Sequence, residues 1–104
     1  MECEMNHYIF FMHDDVPNDH RRQDDAWNAY FAKLRGAGVF EGGSAIGDGI
    51  CASKSAALPT ISRQIAGYIR IRAENLDAAR ELVIGNPVYE AGGTVEIREL
   101  PRTE

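Results

Sequence analysis

Four stretches of the chain have the pattern of apolar and polar residues that predicts β-strands. Tyr8–Met12 is a short, continuously apolar and aromatic run, which favours a strand buried on both faces over a helix. Ala66–Arg72 and Thr94–Leu100 alternate between apolar and polar residues, the period of a strand with one buried face. Val39–Ile46 contains two adjacent glycines, which predict a bulge or a close approach of another backbone or a ligand. A further short strand is expected at Ile50–Ser53.

Two other segments have helical spacing. From His20 to Arg35 the large apolar residues recur at intervals of three and four, the spacing of one helix face. We expect this face to pack on the sheet; it consists of Trp27, Tyr30, Phe31 and Leu34. Asn75 is suited to cap a second helix, Gly85 to end it, and Pro87 to prevent its resumption.

The elements follow in the order strand, helix, strand, strand, helix, strand, with the structure of residues 54–65 left open. Two strand-helix-strand units with both helices on one side form a ferredoxin-like α+β sandwich. No linker, repeat or low-complexity segment divides the chain, so residues 1–104 are expected to form one domain with its core at about 7–100. The helices cover one face of this sheet. The uncovered face is expected to carry Tyr68, Arg70, Arg72, Glu96 and Arg98.

The composition is that of a globular domain, with 44% hydrophobic and 26% charged residues. A formal net charge of −5, with arginines interleaved with acids, argues against a nucleic-acid partner, since phosphate binding needs a concentrated basic surface. The N-terminus lacks the pattern of a signal peptide, and no segment is apolar over the roughly 18 residues of a membrane helix. We therefore expect a cytoplasmic protein without a membrane partner, in which Cys3 and Cys51 are free thiols.

Three segments of the second half resemble the YCII-related family. They are the strand Gly67–Ile71, the helix Asn75–Val83, and Asn86–Arg98 with its run Gly-Gly-Thr-Val-Glu-Ile-Arg. This run is similar to the DGPF-type branch of the family. The first half agrees in layout, with an aromatic strand before an acidic turn, a Trp/Tyr/Phe helix and an Ala-Gly-Val-Phe entry to a Gly-Gly strand. The resemblance therefore spans most of residues 7–100.

The resemblance implies a dimeric α+β barrel, in which two ferredoxin-like units pack their sheets together and enclose a cavity. A homodimer of this kind explains the uncovered sheet face, because the partner's sheet covers it. One feature of the branch is missing. Its Asp-Gly-Pro-Phe motif should precede the strand at 66–72, but residues 57–62 are Ala-Leu-Pro-Thr-Ile-Ser and keep only the proline. Most residues of that motif are therefore missing from this chain, and a function that depends on the motif is not expected.

The same resemblance implies a pair of catalytic candidates. YCII proteins have been proposed to use a histidine near the start of the first helix with an aspartate in a following loop, and His20 and Asp48 are nearest to those positions. A histidine oriented by a carboxylate is an effective general base, because its pKa lies near the working pH. The alternative is that His20 is a solvated histidine at a helix start and Asp48 a turn aspartate between two glycines.

A second candidate site is the uncovered sheet face. Arg70, Arg72 and Arg98 have the geometry to bind a carboxylate or phosphate in bidentate fashion. Tyr68 adds an aromatic wall and a hydroxyl to the same face. The alternative is structural, with Glu96 paired to an arginine of a neighbouring strand.

Metal binding is a third kind of chemistry to consider, at the acidic turn after the first strand. The spacing of His13, Asp14, Asp15 and His20 fits no established ligand pattern, so neither a metal nor a cofactor is expected. Three functions then remain. The first is a homodimer whose cavity binds a small polar, anionic or polar-aromatic molecule, and the second is a small hydrolase- or dehalogenase-like enzyme that uses His20 and Asp48. The third is a purely structural dimer. The missing motif favours the first.

Overall fold

A computed structural model of the chain describes residues 5–15, 24–55, 57, 59–62 and 64–101. Within them lie the strands and helices β1 (Asn6–His13), α1 (Asp24–Gly36), β2 (Phe40–Ala45), β3 (Ile65–Ala73), α2 (Leu76–Glu81), α3 (Pro87–Glu90) and β4 (Val95–Leu100). Apart from the short α3, this is the expected order of elements. None of the helices in these ranges is long and apolar enough to cross a membrane.

The four strands form one antiparallel sheet in the order β2-β3-β1-β4. The two central strands, β1 and β3, are each the first strand of a strand-helix-strand unit, which is the arrangement of a ferredoxin-like α+β sandwich. The predicted fold is therefore confirmed. The edge strands are β2 and β4. Because β2 is an edge strand, one of its sides has no neighbouring strand.

The helices cover one face of the sheet, and the core lies between the helices and this face. On β1 the buried side chains are Tyr8, Phe10 and Met12, whereas Ile9 and Phe11 between them are only half-buried. The expectation that this strand is buried on both faces is thus wrong for the single chain. Its second face carries large apolar residues, but no helix lies over them. We call this uncovered face, with residues 7, 9, 11 and 13 of β1 at its centre, the open face.

The aromatic stripe of α1 packs as predicted. Tyr30 and Leu34 are almost completely buried, and Trp27 and Phe31 pack against the core while remaining partly exposed. The Tyr30 hydroxyl donates a hydrogen bond to the Leu82 carbonyl at 2.7 Å, which fixes α1 to the turn after α2. Burial raises the pKa of Tyr30 to about 12.

The segment after α2 differs from the sequence prediction. Asn75 caps α2 as expected, but the helix ends at Glu81 with Leu82 as its C-cap, and not at Gly85. Gly85, with a φ of +95°, lies in the turn that follows. Pro87 also does not prevent a further helix. It occupies the first turn of α3, where its missing N–H costs nothing. The side chain of Asn86 is fully buried and caps this helix, because its Oδ1 atom accepts hydrogen bonds from the backbone N–H groups of residues 88 and 89.

The predicted glycine bulge is present in β2. Pairing with β3 shifts register between Phe40 and Gly42, and Gly42 has a φ of +119°. Gly43 lies so close to β3 that a Cβ atom there would be 2.5 Å from the Tyr68 carbonyl oxygen. The strand expected at Ile50–Ser53 is absent, and the described residues between β2 and β3 have an irregular backbone.

Candidate functional site

A groove of about 600 Å³ lies beside the edge strand β2, on the helix-covered side of the sheet. Its volume is within the usual range of small-molecule sites, roughly 300–1,000 Å³. We call it the aromatic groove. It is lined by Met12, Trp27, Phe31, Arg35, Phe40, Gly42, Gly43, Ser44, Ala45, Ala66, Gly67, Tyr68, Ile69 and Val88.

One wall of the aromatic groove is made of aromatic residues. The rings of Trp27 and Phe31 on α1 stack with their centroids 5.5 Å apart and an interplanar angle of 28°. Phe40 of β2 extends this wall, with its centroid 5.4 Å from that of Phe31. Such a surface suits a flat aromatic ligand, which gains from offset stacking and edge-to-face contacts.

On the sheet side of the groove, the larger side chains of Met12 and Ile69 lie beside a group of residues with little or no side chain. Ala45 of β2 pairs with Gly67 of β3, so the methyl group of Ala45 is the larger side chain of this pair. Gly43 is the next β2 residue on the same face, and its backbone is in close contact with β3. The groove exists because these residues leave space that larger side chains would fill.

Arg35 lies at the end of the aromatic wall. Its guanidinium carbon is 5.1 Å from the centroid of Phe40 and 5.9 Å from that of Phe31, within the range of cation–π contacts. It is the only charged residue among the described residues that line the groove.

The register confirms that the predicted arginines lie on the open face. Arg70 and Arg72 are opposite Ile9 and His7 of β1, on the face that the helices leave uncovered. The Nε atom of Arg72 is 2.7 Å from a carboxylate oxygen of Glu41, although the N–H bond is not aligned for a hydrogen bond. Both arginines also donate to backbone carbonyls at the edge of the sheet, Arg70 to Glu41 and Arg72 to Gly38. These contacts connect β3 to β2.

A second polar cluster joins β1 to β4 on the open face. Glu96 accepts a hydrogen bond from His13 Nε2 at 2.9 Å and has a longer contact of 3.4 Å with Arg98. The hydrogen bond from His13 and then that from Arg98 hold the pKa of Glu96 below its usual range. Nearby, hydrogen bonds from Thr94 lower the pKa of Asp15.

Sequence reasoning missed the pairing of His13 with Glu96. It had considered His13 as a metal ligand and Glu96 as a partner of an arginine. The signal was present, because His13 shares the strand parity of Phe11, whose partner in β4 is Glu96. Within the described ranges, no group of three His, Cys, Asp or Glu side chains is placed to hold a metal ion.

The catalytic candidates are only partly described. His20 lies outside the described residues. Asp48 is exposed in the irregular segment that follows β2, and its carboxylate accepts the backbone N–H of Gly49 at 2.9 Å. Tyr68, predicted as a ligand residue of the open face, also lines the aromatic groove.

The groove itself was not predicted from the sequence. The stripe of α1 was interpreted as a packing face, and this holds for Tyr30 and Leu34 but only in part for Trp27 and Phe31. The available signal was the glycine pair of β2, which had suggested that another backbone or a ligand comes close. The structure shows that another backbone, that of β3, approaches Gly43.

Comparison with known proteins identifies the fold. No family model matches the chain, and no curated protein matches it. Among solved structures it is similar to TftG, a 5-chloro-2-hydroxyhydroquinone dehydrochlorinase from Burkholderia phenoliruptrix AC1100 in complex with 2,5-dihydroxybenzoquinone. The TM-score is 0.58 at 15% sequence identity, and the match covers 93% of this chain and 95% of that chain. This likeness supports the ferredoxin-like α+β fold that the sequence indicated.

Proposed function

We propose that the protein binds a small oxygenated aromatic compound in the aromatic groove. The observation that carries this proposal is the pairing of an aromatic wall, formed by Trp27, Phe31 and Phe40, with a part of the sheet that contains glycine and alanine. The groove volume of about 600 Å³ is large enough for a single ring. The structural neighbour TftG acts on a chlorinated hydroxyhydroquinone and holds a dihydroxybenzoquinone, which are ligands of this class.

Polar groups at the border of the groove suit the oxygen atoms of such a ring. The strand β2 is an edge strand, so backbone N–H and C=O groups on its outer side do not take part in the sheet. Ser44 of this strand is among the residues that line the groove. A few such groups are enough to orient a ring that is held mainly by apolar contacts.

Calorimetric titration with 4-hydroxybenzoate, catechol and hydroquinone tests this function. We expect at least one of these compounds to bind, and Ala45→Leu to weaken its binding about tenfold or more, because the added carbons occupy the space for the ring. Ala29→Leu is the matched control, since Ala29 is exposed on α1 and does not line the groove. If Ala45→Leu and Ala29→Leu bind the ligand equally well, the site is not this groove.

We also propose that two copies of the chain associate through their open faces. The face combines half-buried apolar side chains, Ile9 and Phe11, with the polar groups of β3 and β4. Self-association of this kind is isologous, the commonest symmetric arrangement of soluble proteins. Arg70, Arg72 and Arg98 already have partners in their own chain, so their proposed part in ligand binding is secondary to a structural one.

An enzymatic function is the second candidate, because the structural neighbour TftG is a dehydrochlorinase. In this proposal, His20 is the general base and Asp48 orients it, acting on a ring bound in the aromatic groove. The test is release of chloride from chlorinated hydroquinones. His20→Ala and Asp48→Asn should abolish turnover while binding of the ring is retained. Turnover that survives both substitutions would remove this candidate.

A further inference from the structure

We infer that the aromatic groove selects rings that carry a negative charge, and that Arg35 binds the anionic group. This inference rests on the proposed function, since it requires a ring in the groove, and it adds the chemical class of the ligand. The class is a single-ring carboxylate or phenolate. Arg35 is the specificity-determining residue.

Arg35 is available to bind a ligand. Arg70, Arg72 and Arg98 each donate to an oxygen of their own chain. The guanidinium of Arg35, in contrast, has no hydrogen bond and no ion pair with any described residue, and its side chain is exposed. Its contacts are with ring faces, which leave the N–H groups at its edge free to donate.

Arg35 is also held in place by its neighbours. The contacts with Phe31 and Phe40 restrict a side chain that is otherwise flexible. An oriented guanidinium offers two parallel N–H donors, which match the two oxygens of a carboxylate. Because Phe31 and Phe40 belong to the groove wall, a ring stacked on that wall brings its substituent close to the guanidinium.

No carboxylate belongs to the described lining of the groove, so none there competes for Arg35 or repels an anion. The C-terminal end of a helix carries a partial negative charge that would oppose an anion. In α1 this effect is reduced, because the last carbonyl groups of the helix accept hydrogen bonds from N–H groups of the segment that follows. The carbonyl of Lys33 accepts from Ala37, that of Leu34 from Val39, and that of Arg35 from Gly38.

The test compares 4-hydroxybenzoate with 4-hydroxybenzamide, two rings of nearly equal shape that differ in charge at pH 7.5. We expect the wild type to bind the benzoate about tenfold or more tightly than the amide, the usual size of one charge-assisted contact. Arg35→Gln should remove this preference while leaving the affinity for the amide within about twofold of the wild type. Arg35→Lys should keep part of it, and high salt should reduce it in the wild type.

Arg80→Gln is the matched control. Arg80 is exposed on α2 and does not line the groove, so its loss removes the same charge without affecting the site. We expect this variant to retain the preference for the benzoate.

Four results would contradict the inference, and they differ in what they mean. If the wild type binds both rings equally, or if Arg35→Gln retains the preference, Arg35 does not select for charge, and the aromatic groove still stands as a ring site. If Arg35→Gln loses both ligands equally, Arg35 only supports the wall. If neither ring binds the wild type, the inference and the proposed function both fail.

Discussion

Gly43 is the residue on which the shape of the groove depends most directly. Its backbone lies against β3, and it also forms part of the groove's sheet surface. A residue with a side chain at this position would have to move β2 away from β3. The sequence contained this information only as a pair of adjacent glycines, because the close approach is a property of the strand that pairs with them.

Gly43→Ala should therefore destabilise the fold. The added Cβ atom would lie 2.5 Å from the Tyr68 carbonyl oxygen and 3.1 Å from the Ile69 Cα atom, and both are backbone atoms that cannot rotate away. Overpacking of this kind costs about 1–3 kcal/mol of unfolding free energy. Gly36→Ala is the control, since nothing lies within 4 Å of its Cβ position. Equal urea midpoints for the two variants would contradict the close approach.

Arg35 and His13 show why single residues of the site were hard to predict. Each has an evident local role in the sequence, Arg35 as a basic residue in the last turn of a helix and His13 as the end of a strand. The contacts described above come from other elements, Phe40 of β2 for Arg35 and Glu96 of β4 for His13. Periodicity gives the face on which a residue lies, but not which groups lie opposite it.

At the scale of elements, the sequence was sufficient for the four paired strands and for the N-cap of α2. The faces of the strands followed from their alternation, and the register confirms that residues 68, 70 and 72 lie opposite the buried face. The prediction missed α3 although its signals are local: Asn86 accepts hydrogen bonds from two N–H groups of this helix, and Pro87 suits its first turn. For β1 the prediction was wrong because both longer helices pack on one face of the sheet and leave the other face of this strand uncovered.

The link between β1 and β4 should make stability depend on pH. Because His13 and Arg98 hold the pKa of Glu96 below its ordinary 4.5, the folded state binds fewer protons than the unfolded state in this range. This contribution is present above pH 4.5 and is lost as the pH falls through the lower folded pKa. The Glu96→Gln variant should thus be less stable than the wild type at pH 7. Its melting temperature should fall less than that of the wild type between about pH 5 and 3.

A matched comparison is available on the same strand. Glu99 is exposed, and no hydrogen bond or ion pair joins its side chain to a described residue. Melting temperatures of the wild type, Glu96→Gln and Glu99→Gln measured from pH 7 to 3 separate the contribution of this link from a general effect of charge. If Glu96→Gln and Glu99→Gln have the same pH profile, the contacts of Glu96 do not stabilise the fold.

For the whole molecule, the open face is the feature that most needs an explanation. A strand as apolar as Tyr8–Met12 has one side in the core and the other without cover in the single chain. Association of two such faces would bury Ile9 and Phe11 and place the polar groups of β3 and β4 around them. The aromatic groove lies on the opposite side of the sheet, so each copy keeps its own groove in this arrangement.

Phe11→Lys tests this association. Glu96 is the β4 partner of Phe11 in the register, so a lysine has a carboxylate neighbour in the single chain, whereas two copies would bring like charges together. We expect the wild type to sediment as a dimer at micromolar concentration and Phe11→Lys as a folded monomer by circular dichroism. Tyr89→Lys, at an exposed position on α3, is the control and should remain dimeric. A monomeric wild type would contradict the proposal.

NMR on ¹⁵N-labelled protein titrated with 4-hydroxybenzoate tests directly whether the aromatic groove is the binding site of the ring. Trp27 is the single tryptophan of the chain and lines the groove, so its indole N–H gives one resolved signal for occupancy. We expect this signal to shift together with the backbone amides of Gly43 and Gly67, while the amide of Arg98 on the open face stays unchanged. Shifts at Arg70, Arg72 and Arg98 without a change at Trp27 would place the ligand between the sheets of a dimer and contradict the groove as the site.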